Sequence, residues 1–348
     1  MNSFYRHIIA LVAIVCLVSF TAQAQDIHFS QFFNAPLSQN PALAGSLHEM
    51  DGYLSYRNQW AAISEPYKTY SASGSMIMTK SGRKKGRWAL GAIVFNDEAG
   101  DGALKTTSGA FSTVYHVKLS KYEKLGMGIQ TGFVSRSINY DNFQWGSQYN
   151  GTNYDPNLLV GENLNTNAVT YIDMSAGMVY TLNNTANLIK VTSNNFRQGT
   201  IGLAFHHLNR PRYSFMGSDE RLNIRMVAHA NFLWSIANSP FALQPGFNFY
   251  KQGPQEEIMF GSMVRYELVP DSKYTGFYKG GGVYAGAYVR FKDAVVLAAM
   301  LEYSKYAFGV SYDINTSSLK TASGGKGGVE FTLRVVSRNP YFKKTQIF

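Results

Sequence analysis

The sequence of 348 residues contains a single cysteine, Cys16, which lies inside an apolar run close to the start. One thiol cannot form an intramolecular disulfide scaffold or a cysteine-based zinc site. Cys16 also lacks the leucine and small residues that lead into a lipoprotein cysteine. We therefore expect neither a lipid anchor at this position nor a stapled fold.

The first 24 residues have the layout of a secretory signal peptide. Arg6 precedes the apolar run from Ile8 to Val18, and a small-x-small triplet ends at Ala24. The alternative, a membrane anchor, would need an apolar run of roughly 20 residues, and this run is shorter. We predict cleavage before Gln25, so that residues 1–24 and their cysteine are removed and the mature chain is exported.

Long apolar runs are missing beyond this leader, and so are the usual catalytic motifs. The longest run, residues 294–301, is far below the roughly 18 residues expected of a membrane-spanning helix. No HExxH zinc motif, GxSxG elbow, Walker loop or GxGxxG after a strand is present. We predict a non-enzymatic protein with no cofactor, and we assign no residue a catalytic, cofactor-binding or metal-ligating role.

A few polar residues were weighed as exceptions to that prediction. His206 and His207 are adjacent, so on a strand they would point to opposite faces and could not share a metal ion. His229 is expected to line an interior. An outer-membrane enzyme built from Ser235 or Ser262 and a histidine stays an alternative, although nothing in the sequence orders such a set.

Charged residues are scarce, at 16%, and the formal charge is +10. Lysine and arginine are scattered, apart from one dense cluster, KSGRKKGR, at residues 80–87. Scattered cations on an exported chain argue against a nucleic-acid partner. The cluster is predicted to be a basic turn near the phosphates of anionic lipid or lipopolysaccharide.

Tyrosine, phenylalanine and glycine are plentiful instead, with 23, 23 and 32 residues. This mixture suits antiparallel strands that face lipid between aromatic girdles. Apolar and polar residues also alternate with period two along most of the chain. In residues 222–234, for example, one face carries Ile224, Met226 and Phe232, while the other carries Arg225 and His229.

The alternation predicts fourteen strands, an even number as in single-chain bacterial barrels. The predicted strands are 51–60, 67–79, 86–97, 103–119, 124–138, 167–181, 198–207, 222–234, 240–251, 256–269, 276–291, 294–303, 306–314 and 329–335. Many are about ten residues long, which favours a membrane barrel over a soluble β-sandwich. We predict an all-β, antiparallel transmembrane barrel over residues 50–336, followed by a tail at 337–348.

Connections and glycines add two expectations. The long connections, residues 140–166 and 209–221, fall on one side of the barrel, and short links such as 237–239 fall on the other. Outer-membrane barrels have long outer loops and short periplasmic turns, which sets the predicted orientation. Glycines within the strands are predicted to permit bends, bulges or close packing of an inner plug.

The start of the mature chain carries recognisable motifs. Residues 25–45 read QDIHFSQFFNAPLSQNPALAG, and YRNQW follows at residues 56–60, with YKTY at 67–70. These elements closely resemble the PorP/SprF family of Bacteroidetes outer-membrane proteins. The match departs from the usual Asn-Pro pair at Asn34-Ala35-Pro36. It is specific over roughly the first 55 mature residues and rests on strand pattern beyond them.

The resemblance implies a fourteen-stranded barrel related to long-chain fatty-acid transporters. It also implies a role in type IX secretion and gliding motility, in which the barrel partners, exports or anchors a large secreted adhesin and contacts other secretion subunits and outer-membrane lipid. The alternative is a small-molecule or lipid channel, which would have an apolar lumen pocket with a lateral opening.

Residues 25–49 are predicted to be irregular, because Asn34-Ala35-Pro36 and Asn40-Pro41 favour turns and block regular strand pairing. We expect this segment to pack in the periplasmic mouth of the barrel and to plug the lumen. A disordered leader before the first strand is the alternative.

Overall fold

The computed structural model describes ten stretches of the chain, which together hold every strand. They are residues 26–61, 65–79, 86–100, 104–140, 143–161, 167–184, 197–215, 219–269, 280–318 and 320–337. The predicted signal peptide and the tail from residue 338 lie outside these ranges. Among the described residues, no helix is both long and apolar enough to cross a bilayer.

Fourteen antiparallel strands form one closed barrel, in which each strand pairs with its neighbours in sequence and the first pairs with the last. The strands are β1 (Met50–Gln59), β2 (Tyr67–Ile77), β3 (Gly86–Ala99), β4 (Leu104–Lys118), β5 (Glu123–Ser137), β6 (Ala168–Asn184), β7 (Arg197–His206), β8 (Arg225–Ser235), β9 (Phe241–Gln252), β10 (Gln255–Val269), β11 (Gly281–Arg290), β12 (Ala294–Tyr303), β13 (Tyr306–Asn315) and β14 (Lys326–Ser337). The predicted fold class and strand count are confirmed.

Strand ends differ from the prediction where backbone pairing and side-chain pattern disagree. β8 begins at Arg225 rather than at residue 222, because the Leu222 N–H donates to the Pro211 carbonyl within the preceding loop. β14 begins at Lys326 rather than at 329. Gly328 pairs with Gln59 and the Gly327 carbonyl accepts from the Trp60 N–H, but neither glycine has a side chain that could alternate.

The two rims of the barrel carry different connections. We call the rim where β1 begins and β14 ends the terminal rim, and the opposite one the loop rim. The loop rim holds the two long connections, residues 138–167 and 207–224, together with tight turns at 253–254 and 291–293. The basic cluster predicted at 80–87 joins β2 to β3 at the terminal rim, and its residues 80–85 lie outside the described ranges.

The outer face of the wall is apolar, as the alternation predicts. Large side chains such as Phe111, Ile129, Phe133, Ile172 and Leu301 are more than half exposed there. In the isolated chain these side chains would contact water, so an apolar belt of this kind is stable only against hydrocarbon.

The hydrophobic core lies inside the barrel, between its wall and the chain that precedes β1. One cluster packs Leu37, Ala42, Leu43 and Ala44 against inward side chains of β2, β3, β4 and β6. A second cluster packs Phe32 against methionines, tyrosines and alanines of β10 to β13. We call residues 26–49 the lumen segment, since it supplies one side of both clusters.

Candidate functional site: the lumen segment and the vestibule beside it

The lumen segment runs through the inside of the barrel from one rim toward the other. Asp26 contacts His207, which follows β7 at the loop rim. The Gly45 carbonyl accepts from Lys124, near the terminal-rim end of β5, and the chain then enters β1. The segment thus extends well beyond the periplasmic mouth in which the sequence placed it, because most of its polar partners lie on the loop-rim half.

Its local structure follows from its two prolines and one asparagine. Pro36 starts a single helical turn, α1 (Pro36–Gln39), and Pro41 starts a 3-10 turn (Pro41–Leu43). The first position of a helix suits proline, because the N–H that proline lacks would have no partner there. The Asn40 side chain caps the second turn by accepting from the Ala42 N–H at 2.9 Å.

Asn40 also fastens the segment to the wall. Its amide nitrogen donates to the Met178 carbonyl at 2.9 Å and lies 3.1 Å from Nε2 of His229. The Asn40 and His229 side chains are buried, so loss of these bonds would leave polar groups without water as a substitute partner. His229 is therefore an inward-facing lining residue whose ring meets the lumen segment.

Six glycines of the wall form a seat for the segment. A Cβ added to Gly128 would lie 2.9 Å from the backbone of Ala42, and one added to Gly202 would lie 2.7 Å from the Asn40 amide. Both distances are shorter than real Cβ contacts. The other glycines whose added Cβ would meet the segment are Gly91, Gly177, Gly246 and Gly309.

A cluster of buried charges clamps the segment near the loop rim. Arg57 of β1 donates to Asp313 at 2.7 Å and to Glu330 at 3.0 Å. The N–H groups of Ser30 and Gln31 donate to the two oxygens of Glu330, at 2.7 and 3.0 Å. Charges this deeply buried are stable only when each has a partner. The N–H groups of the segment and the charged side chains of the wall supply these partners to one another.

The Ser30 hydroxyl completes this clamp. It donates to Asp313 at 2.8 Å and accepts from Nη2 of Arg290 at 2.6 Å. Ser30 belongs to the FSQ motif and Arg57 to the YRNQW motif, so the two sequence motifs meet in space. Sequence reasoning recognised both motifs but had no signal for the carboxylates of β13 and β14 that join them.

The segment begins at a second charged cluster. Asp26 lies 2.5 Å from Nε2 of His207 and 3.5 Å from Arg225, while Asp173 lies 2.9 Å from Nδ1 of the same histidine. Burial lowers the pKa of His207, but the adjacent Asp26 and Asp173 carboxylates outweigh it and raise this pKa to about 9. Burial likewise opposes ionisation of Asp26, yet the positive charges of His207 and Arg225 hold its pKa below the usual range.

The two adjacent histidines correct a sequence prediction. His206 and His207 were expected on opposite faces of a strand, but both are buried on the inner side, with ring centroids 6.4 Å apart. β7 ends at His206, and His207 has a φ of 59°, which turns its side chain back inward. Nε2 of His206 lies 3.0 Å from the Gln39 carbonyl, and the His207 ring contacts Asp26, so both rings bind the lumen segment.

The serines weighed as enzyme candidates lie apart from one another on the wall. Ser235 is buried at the terminal-rim end of β8, and the Ser262 hydroxyl donates to the neighbouring Met263 carbonyl at 3.3 Å. In the part of the chain that the structure describes, no group of three histidine, cysteine or carboxylate residues has the arrangement of a metal site.

A cavity of about 480 Å³ remains beside the segment in the loop-rim half, and we call it the vestibule. Its lining mixes apolar and polar groups. Phe95, Leu104 and Val134 lie on its wall, as do Arg136, Tyr171 and Asp173, while Asp26 and His28 form part of its floor. The lumen is thus filled on the terminal-rim side and partly open on the loop-rim side.

A closed antiparallel barrel with an apolar outer belt and buried polar groups in its interior is the architecture of bacterial outer-membrane proteins. The family model of the type IX secretion system membrane protein PorP/SprF matches residues 21–335. The chain therefore belongs to the PorP/SprF family and is a membrane protein of type IX secretion. A search of curated proteins found no matching sequence.

Solved outer-membrane barrels are similar to this chain only in general form. The CymD monoaromatic hydrocarbon channel is 9% identical, with a TM-score of 0.43, over 87% of this chain and 92% of its own. The translocator domain of the autotransporter NalP from Neisseria meningitidis is 10% identical, with a TM-score of 0.37, over 84% of this chain and 88% of its own. BamA from Haemophilus ducreyi is 10% identical, with a TM-score of 0.42, over 83% of this chain and 70% of its own.

Proposed function

We propose that this protein is a closed outer-membrane anchor that partners a secreted surface adhesin during type IX secretion. Family membership supports the secretion system and the membrane, and the finer role is our inference. The mature chain would be exported with a cleaved signal peptide. Contacts with other secretion subunits, and a part in gliding motility, belong to the same proposal.

The observation that carries the proposal is the lumen segment itself. It is fixed by the Arg57 clamp, the glycine seat and the Asn40 contacts, so its removal would break buried bonds at several heights of the barrel. A plug held by this many buried polar groups suits a barrel that holds a partner, whereas an open pore would need a continuous passage.

The proposed orientation places the loop rim outside the cell. The long connections lie there, which is the usual arrangement in such barrels. The vestibule then opens toward the surface, where a secreted partner would be held. The basic residues between β2 and β3 would face the inner leaflet, so they would meet phospholipid rather than lipopolysaccharide.

Purification of the tagged full-length protein from detergent-solubilised outer membrane tests the partner. We expect a large secreted adhesin to co-purify in stoichiometric amount, identified by mass spectrometry. A matched purification of another outer-membrane barrel from the same cells controls for adhesins that adhere to any barrel. If the protein is recovered alone under conditions that preserve other membrane complexes, the anchoring role is wrong.

Single-channel recording in planar bilayers tests the plug. The intact protein should show no steady conductance, and deletion of residues 26–45 should open a pore. Deletion of residues 150–153, which lie in an exposed loop, serves as the control and should leave the barrel closed. A wide, steady conductance in the intact protein would show that the lumen segment does not close the barrel.

A small-molecule or lipid channel is the second candidate, and the vestibule is the observation that favours it. Its volume of about 480 Å³ is that of an ordinary ligand site. A channel would require the Asn40 and Arg57 contacts to open during transport. Solute uptake by cells with and without the protein would separate this function from anchoring.

A further inference from the structure

At the loop-rim end of β6, no described strand pairs with the side of the strand that faces β7. β7 pairs with β6 only between Ala176 and Asn184, while β5 pairs with β6 from Ala168 to Leu182. Residues 169–175, in the first part of β6, therefore have a described strand beside them on the β5 side only. An uncovered edge presents backbone N–H and C=O groups in the pattern that another strand recognises.

The side chain of Asn209 occupies the first part of this edge. Its oxygen accepts from the Met174 N–H at 3.2 Å, and its amide nitrogen donates to the Ile172 carbonyl at 2.6 Å. The Leu208 N–H donates to the Met174 carbonyl at 2.9 Å. The Asn209 side chain thus makes the bonds that a neighbouring strand would make to Met174 and Ile172. It does not contact the backbone of Thr170.

Alternate residues of a strand direct their backbone N–H and C=O groups to the same side, which identifies the groups of this edge that Asn209 does not bind. Met174 and Ile172 direct their backbone groups toward the β7 side, so Thr170, two residues further on, does the same. The N–H and C=O of Thr170 and the N–H of Ile172 consequently face a side on which the described part of the chain has no strand. Thr170 is exposed, as is Ile172.

This edge stands just above the apolar belt. Ile172 lies opposite Phe133, the uppermost large apolar side chain of β5, whereas Thr170 lies opposite Ser135. Ser135 in turn lies opposite Thr107 of β4. Lipid tails therefore reach Ile172 at most, and the groups of Thr170 are open to the aqueous side of the membrane.

The inner face of the same edge borders the vestibule. Tyr171 and Asp173 of β6 and Arg136 of β5 line that cavity. Arg136 lies over the ring of Tyr213, at 5.3 Å, and forms no ion pair with any described residue. A strand added beside β6 would send alternate side chains into the vestibule, where an acidic one would meet this guanidinium.

We propose that the free edge of β6 is a docking site for an extended, acidic segment of the secreted partner, which adds to the barrel as a short extra strand. The inference rests on the proposed function, since it names the contact through which the partner is held. Backbone bonds from Thr170 and Ile172 would provide binding that tolerates varied sequences, and the vestibule would select the side chains.

Hydrogen exchange with mass spectrometry, on the purified barrel and on the complex isolated from cells, tests the site. In peptides covering residues 168–175, the amides of Thr170 and Ile172 should exchange quickly in the barrel alone and become protected in the complex, while the amides bonded to β5 stay protected in both. Protection of the Thr170 and Ile172 amides in the barrel alone, accompanied by a dimer in solution, would mean that a second copy of this chain occupies the edge, and would overturn the proposal.

Substitution at Thr170 supplies the matched pair of variants. Thr170→Pro removes the N–H that faces the free side and leaves the β5 ladder intact, so partner binding should weaken by at least about tenfold. Thr170→Val keeps the N–H and the shape of the side chain, so it should bind like the wild type. Arg136→Gln should weaken binding by a smaller factor.

Each outcome separates this inference from the anchoring role. If the complex forms while the amides of Thr170 and Ile172 stay unprotected and Thr170→Pro binds normally, the docking site is wrong and the anchor survives. If no secreted partner binds the wild type at all, both proposals fail. Should Thr170→Pro not give a heat-resistant barrel, the exchange comparison on the wild type decides.

Discussion

Arg57 shows how much of the barrel depends on single side chains inside its wall. It is 1% exposed and donates to two carboxylates of the wall. Glu330 accepts from backbone N–H groups of the lumen segment, and Asp313 accepts from the Ser30 hydroxyl. A charge in such a place contributes little net stability when all its partners are present, but its removal leaves the others uncompensated.

Arg57→Ala should therefore lower the free energy of unfolding by about 3–5 kcal/mol, because two buried carboxylates lose their main counter-charge. The exposed pair of Lys105 with Glu98, at 3.7 Å, is the control. Lys105→Ala should cost less than about 1 kcal/mol. Urea unfolding in lipid vesicles measures both, and equal effects of the two substitutions would contradict this account of the clamp.

The charged pair at the start of the lumen segment predicts a pH dependence. His207 titrates near 6.5 when unfolded and near 9 when folded, so its contribution is fully present below about pH 6.5 and is lost as the pH rises through 9. The pKa of Asp26 is depressed, so its contribution is present above about pH 4 and is lost as the pH falls further.

The measurement is the difference in unfolding free energy between the wild type and His207→Gln. It should be about 1–3 kcal/mol near pH 6 and should shrink toward zero above pH 9. A difference that stays constant from pH 6 to pH 10 would show that folding does not raise the pKa of His207.

At the scale of elements, the sequence indicates the turns of the lumen segment but not how deep in the barrel the segment lies. Its turns follow from Pro36, Asn40 and Pro41, all of which can be read from the sequence. Its depth could not be read, because the binding partners are glycines and carboxylates of strands far along the chain. Only the register of those strands shows which of them face inward.

The glycine seat gives the test at this scale. Gly128→Ala should displace the segment, since its Cβ would lie 2.9 Å from the Ala42 backbone, and the strain should cost about 1–3 kcal/mol. Gly52→Ala is the control, because its Cβ would meet nothing nearer than 3.9 Å. Hydrogen exchange of residues 36–46 should rise in the first variant and stay unchanged in the second.

At the scale of the whole molecule, period two determines most of what can be predicted. It located all fourteen strands, since one face of each meets lipid and the other the interior. Two departures mark its limit. The turn at His207 needs a positive φ that alternation does not reveal, and the early start of β14 rests on glycines that have no side chain to alternate.

The proposed orientation of the barrel predicts which loops a reagent outside living cells can reach. Gly151→Cys, in the long loop between β5 and β6, should react with a membrane-impermeant maleimide, whereas Lys121→Cys, in the turn between β4 and β5, should not. Cys16 is the only natural cysteine, so the mature chain would offer no background. Labelling of Lys121→Cys alone would invert the proposed orientation.

The position of the clamp also sets an order on assembly. Ser30 and Gln31 precede all fourteen strands along the chain, yet they bind Asp313 and Glu330 on the last two strands, beside the pair of β1 with β14 that closes the barrel. The barrel therefore cannot be completed gradually from its N-terminus. Pairing of β1 with β14 and docking of the lumen segment therefore occur together. In an intermediate in which these two strands are not yet paired, Asp313 and Glu330 would lack both Arg57 and the lumen segment as partners.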